Sequence, residues 1–179
     1  MFGAGRAPRA ENDVATLSVL LVDDNAHFLR ILDRFLSDHS EGALRVVGAV
    51  EGGRDAVAEA ERLRPDVILV DLKMPDVPGL HLLPQLRRTL PDAILIALTL
   101  MDADEYREDA LAAGAEAFVS KTSLECDLIP AIQRLASRAP GGRRAVERRG
   151  GGPPAAGPAL DDVRRAGRGA RPAGREVRG

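Results

Sequence analysis

Cysteine is almost missing. Cys126 stands alone in 179 residues, which excludes an internal disulfide and any cysteine-based zinc cluster and fits a reducing compartment. Tryptophan is absent and aromatics make up only 3%. No aromatic platform for stacking nucleic-acid bases is therefore available, and a core has to be assembled from Leu, Val, Ile and Ala. No apolar run reaches the roughly 18 residues of a membrane span, and the opening MFGAGRAPRAEND lacks the apolar centre of a secretory signal. A soluble cytoplasmic protein is the expectation. What is present is a strong charge asymmetry: from Arg138 onward 11 arginines meet four acids (Glu147, Asp161, Asp162, Glu176), so a net charge of only -2 hides an acidic front and a basic tail.

From Ser18 the chain alternates short β-branched runs with amphipathic segments, as expected for an α/β domain with a mainly parallel sheet. Strands are predicted at 18–22, 44–50, 67–70, 93–98 and 117–119. VILV and AILIAL are apolar without alternation, which marks central strands covered on both faces. The first helix is predicted to turn a stripe of Phe28, Ile31, Leu32, Phe35 and Leu36 toward the sheet, with Asn25 as its N-cap. Further helices are predicted over 54–64, 80–89, 103–113 and 122–138. Gly114 serves as a left-handed C-cap, and Thr122 with Glu125 forms a capping box. Pro84 and Pro130 fall inside two of these helices, where a late start or a kink is expected, because an interior proline costs about 3 kcal/mol. After Arg138 the chain is dominated by Gly, Pro, Ala and Arg, and it cannot offset an ordering cost of about 1–2 kcal/mol per residue. The expected organisation is a disordered N-terminal arm (1–16), one folded domain (17–138) and a disordered tail (139–179).

In a parallel α/β sheet, the loops leaving the carboxyl ends of the strands converge on one rim, where ligands bind. The polar residues that end strands are Asp23 and Asp24 after the first, Asp71 after the third, Thr99 at the fourth and Lys121 just past the fifth. Each alone has a structural explanation as a cap, a turn or a solvated side chain. Together they form a chemical set. Three carboxylates repel by about 4 kcal/mol per pair at 4 Å and an effective dielectric of 20, and magnesium, which takes carboxylates and phosphate oxygens together, offsets that repulsion. With a lysine and a hydroxyl added, the parts suit phosphoryl transfer, in which a carboxylate can itself be the nucleophile.

These motifs, VLLVDDN, VILVDLKMPDVPG, LT and FVSK, resemble the receiver domain of two-component response regulators over residues 17–138. The resemblance implies a doubly wound, flavodoxin-like α/β fold with a five-stranded parallel sheet in the order 2-1-3-4-5. It makes Asp71 the phosphoacceptor, with Mg2+ held by Asp24, Asp23, Asp71 and the backbone carbonyl of Lys73. Thr99 and Lys121 would grip the phosphate, and Phe118 would be the aromatic switch. A sensor histidine kinase or phosphotransfer protein would be the donor. The domain would catalyse only its own phosphorylation and slow dephosphorylation, and the resemblance leaves open a homodimer through the fourth helix, fifth strand and fifth helix.

Two positions depart from the family pattern. Leu100 follows Thr99 where a small residue is usual, which is expected to restrict the pocket or the travel of Thr99. Thr122 follows Lys121 in place of a proline, which leaves the placement of Lys121 open. No output domain is recognisable after Arg138, and specific DNA binding is not expected. Two alternative readings exist. One is an aspartyl-phosphate phosphohydrolase, disfavoured because Lys73 occupies the position where such enzymes carry a second Asp. The other is salt-sensitive nucleic-acid binding through the basic tail. His27, His39 and His81 lack metal spacing, and Gly52-Gly53 lacks the Lys-Ser/Thr of a P-loop.

Overall fold

Five apolar runs pair into one parallel sheet in the computed structural model, which describes residues 16–100 and 104–138. The expected disordered arm (apart from Thr16), the tail from 139, Met101 and the predicted helix start at 103 lie outside the described residues. The elements run β1 (Leu17–Asp23), α1 (Ala26–His39), β2 (Leu44–Glu51), α2 (Ala56–Leu63), β3 (Val67–Asp71), α3 (Gly79–Thr89), β4 (Ile94–Thr99), α4 (Asp104–Ala112), β5 (Ala117–Ser120) and α5 (Leu124–Arg138). The strand order is β2-β1-β3-β4-β5, with every pairing parallel, as expected.

Both faces of the sheet are covered. Alternate residues of the central strands point to opposite cores: Leu20, Val22, Ile68, Val70, Leu95 and Ala97 pack with Ala60 of α2, Leu83 of α3 and Ala110 of α4. Their neighbours Val19, Leu21, Val67, Leu69 and Ile96 pack with Leu32 of α1 and Ile132 of α5. This two-sided burial is why β3 and β4 carry no polar alternation. It holds the carboxyl ends of β1, β3 and β4 on a rigid rim.

Several local expectations need correction. In α1 the buried positions are Leu29, Leu32 and Leu36, with Phe28 and Phe35 half-buried, whereas Ile31 is 51% exposed. The inward stripe is centred on Leu29 and Leu36, so Ile31 lies beyond its edge. Thr122 does not cap α5. The backbone carbonyl of Ser123 accepts from Asp127 N–H at 3.1 Å, and the Ser123 hydroxyl bonds the Asp127 carboxylate, while Thr122 pairs with Ser120 at 2.7 Å. The prolines do not delay their helices: α3 begins at Gly79, ahead of Pro84, and α5 at Leu124, ahead of Pro130. Burial of Leu82, Leu83 and Leu86 around Pro84, and of Leu128, Ala131 and Ile132 around Pro130, offsets the lost N–H, at roughly 1.5–3 kcal/mol per large apolar side chain.

Other caps form as expected. Asn25 Oδ1 accepts the N–H groups of His27 and Phe28 at 3.0 and 3.1 Å. Gly114, at φ +108°, closes α4. Its N–H donates to Leu111 O and that of Ala115 to Ala110 O, the paired bonds of a Schellman turn.

Candidate functional site

Asp23 ends β1 and Asp71 ends β3, two strands that lie side by side. Asp24 follows on the loop into α1. One carboxylate oxygen from each of the three lies within 4.8 Å of the others. Asp23 and Asp71 are buried, at 1% and 5% exposure, whereas Asp24 is exposed. Asp24 is thus the member of the cluster that faces solvent.

Lys121 supplies the countercharge. The loop after β5 is trans at Thr122, and Lys121 N–H donates to Thr99 O at 2.7 Å, which ties the loop to the end of β4. The ammonium then reaches Asp23 Oδ2 at 2.6 Å and Asp71 Oδ2 at 3.2 Å, with only 8% of the side chain exposed. Backbone donors complete the carboxylates: Asn25 N–H bonds Asp23 Oδ1 at 2.9 Å and Lys73 N–H bonds Asp71 Oδ1 at 3.2 Å. Burial raises the Asp71 carboxyl above its ordinary range. Lys121 and the Lys73 N–H act in the opposite direction, and the nearby charge of Asp23 adds to the rise. Three carboxylates against one ammonium leave two negative charges uncompensated, which matches a divalent cation with a preference for oxygen.

Thr99 ends β4 and is 1% exposed, next in the chain to Leu98, the register partner of Asp71. Phe118 on β5 is half-buried against the α2–α4 side of the sheet, with the Arg107 guanidinium 5.3 Å from its ring centroid. The Lys73 ammonium lies 5.5 Å from the centre of the Tyr106 ring on α4. Leu100 is 71% exposed. It turns to solvent, so the expected obstruction of the pocket does not arise from its side chain.

Two groups escaped the sequence reading. The Phe28 ring lies over the Lys121 ammonium, 4.4 Å from Nζ to centroid; the sequence presents it as part of an apolar stripe, although its place in the first turn after Asp23-Asp24-Asn25 is visible there. Asp76 accepts from Gly53 N–H at 3.0 Å and from Arg54 N–H at 3.3 Å, which joins the β2–α2 turn to the loop after Asp71. These bonds hold its carboxyl below the ordinary range. The Gly52-Gly53 turn thus receives a protein carboxylate.

Comparison with known proteins agrees with this geometry. The chain is 34% identical over 119 residues to the response regulator protein VraR of Staphylococcus aureus, a match that covers 66% of this chain and 56% of that protein. It therefore spans little more than half the length of the curated relatives it matches. Among solved structures, the response regulator domain of Thermotoga maritima CheB superposes with a TM-score of 0.59 at 27% identity, covering 69% of this chain and 96% of that one. A LuxR-family DNA-binding response regulator from Staphylococcus aureus superposes with a TM-score of 0.60 at 24% identity, over 66% and 98% of the two chains, a likeness of fold. Residues 19–133 match the response regulator receiver domain, and the chain belongs to that family.

Proposed function

We propose that this chain is a phosphorylation-dependent signalling switch in which Asp71 accepts a phosphoryl group from a phosphohistidine on a sensor histidine kinase or phosphotransfer protein. A carboxylate oxygen of Asp71 forms the new P–O bond as the P–N bond of the donor breaks and the imidazole leaves. The observation that carries this reading is the convergence of Asp23, Asp24 and Asp71 on one rim with a buried ammonium bridging two of them. Lys121, already 3.2 Å from Asp71, is placed to meet a phosphoryl oxygen, and Thr99 at the adjacent strand end supplies a hydroxyl. Asp23, Asp24, Asp71 and the Lys73 carbonyl would hold a magnesium ion. When bound, the ion supplies charge neutralisation for the carboxylates and the phosphoryl oxygens. Incubation with magnesium and acetyl phosphate is expected to add about 80 Da, one phosphoryl group, to the wild type and nothing to Asp71→Ala. Modification of the Asp71→Ala protein would refute the assignment.

The phosphoryl group is expected to leave slowly, over minutes rather than seconds. Hydrolysis needs a water in line with phosphorus, and the side chains two positions beyond Asp71 and Thr99 are Lys73 and Met101. An ammonium offers no acceptor for a water proton, and a thioether only a weak one. Decay after donor removal should be faster in a Lys73→Asn, Met101→Glu double variant than in the wild type, and the reverse order would refute this account. Through Thr99 and Phe118 the modification is expected to bias the face of α4, β5 and α5, the surface available for homodimerisation or for docking a partner.

A further inference from the structure

We propose that Phe28 is a positioning residue for phosphorylation, its ring fixing the Lys121 ammonium against the acceptor; this rests on the reading of Asp71 given above. An ammonium has three donors and no acceptor. Two directions are taken by Asp23 Oδ2 at 2.6 Å and Asp71 Oδ2 at 3.2 Å, and a ring face lies 4.4 Å away. The side chain is 8% exposed, so the cation–π attraction acts where water screens it little.

The three partners differ in what the reaction does to them. Asp71 loses its free carboxylate when it becomes an acyl phosphate, and a cation drawn to the acidic cluster competes with Lys121 for Asp23. The ring has no charge to lose and accepts no metal. Phe28 is therefore the contact of Lys121 that persists throughout, and it forms a dry wall that keeps the ammonium from swinging into solvent as it passes from carboxylate to phosphoryl oxygen. The backbone that carries the ring is tied to the acid: Phe28 N–H donates to Asn25 Oδ1 at 3.1 Å, and Asn25 N–H donates to Asp23 Oδ1 at 2.9 Å, so the first turn of α1, the cap and the acid form one unit.

The test uses the full chain and acetyl phosphate with magnesium. Phe28→Leu keeps an apolar side chain but removes the ring face, and pentafluorophenylalanine at position 28 keeps the shape while reversing the ring's electrostatics. Both should slow phosphorylation by about three- to ten-fold, and Phe28→Trp should restore it. The chain has two lysines, Lys73 and Lys121, so side-chain NMR of labelled lysine reads the contact directly. In the unphosphorylated wild type the Lys121 methylene signals should show a ring-current shift that Phe28→Leu abolishes. A wild-type rate in the fluorinated protein would overturn the proposal even if Phe28→Leu were slow or unstable, since the ring would then act by packing alone. An unshifted Lys121 signal would overturn it independently of any rate. Absence of phosphorylation in the wild type would instead remove the acceptor reading on which the proposal depends, while the NMR signal would still report whether the contact forms.

Discussion

Asp71 bears a folding cost that its neighbours only partly offset. Its carboxyl is raised above the ordinary value of 3.8 chiefly by burial, with Lys121 and the Lys73 N–H opposing. A carboxyl whose folded pKa lies above its unfolded one binds protons more readily when folded. Its presence therefore lowers stability as pH rises from the unfolded value through the raised folded value, and the deficit persists at neutral pH. In metal-free buffer Asp71→Asn is expected to melt higher than the wild type at neutral pH, with the difference closing below about the ordinary carboxylate range of pH 4. A variant that melts lower at neutral pH would show that the ion pair with Lys121 outweighs desolvation. The placement of Asp23, Asp24, Asp71, Thr99 and Lys121 at one rim was legible in the sequence because each is a polar residue that ends or follows an apolar run. Phe28 was not, because an aromatic in an amphipathic helix already has a sufficient explanation in packing, and only the three-dimensional path of Lys121 gives it a second one.

The elements of this fold are tied together by polar groups that leave no periodic trace. The Arg87 guanidinium, near the end of α3, donates to Pro91 O and Ala93 O at 2.9 Å each, to Gly114 O at 3.0 Å and to the Glu116 carboxylate at 2.7 Å. It thereby joins the turn before β4 to the turn after α4. A planar fork with five N–H groups can serve four acceptors in this way, and an ammonium cannot. Arg87→Lys is accordingly expected to cost on the order of 1–2 kcal/mol and to lower the melting temperature by about 5 °C; an unchanged melting curve would mean that water replaces the guanidinium without loss. The apolar content of β3 and β4 and the Gly114 cap were readable because burial and a positive φ each demand a restricted set of residues. The start of α5 was misplaced by two residues because Thr122 and Ser123 are both competent caps, and the choice between them is made by the Thr122–Ser120 hydroxyl contact. The late starts expected at Pro84 and Pro130 do not occur, because a local penalty of about 3 kcal/mol is smaller than the burial around them.

Across the whole molecule, charge and aromatic content are distributed unevenly. Each lysine sits over a ring, and the two rings belong to opposite faces of the sheet: Lys121 over Phe28 of α1 and Lys73 over Tyr106 of α4. The general architecture followed from the alternation of runs, because a chain that alternates buried strands with amphipathic helices has few other ways to cover both faces. The pairing of lysines with rings did not, since the partners are separated in the sequence and meet only when α1 and α4 pack. The second pairing has an optical consequence. The chain has one tyrosine and no tryptophan, so its near-ultraviolet emission comes from Tyr106 alone, a ring that touches the residue two positions beyond the acceptor. Acetyl phosphate with magnesium should change that emission in the wild type and leave it unchanged in Asp71→Ala; an identical trace from both would show that α4 does not register the event at Asp71. Such a change would let the state of the site be followed in real time through the protein's own fluorophore, with no dye attached.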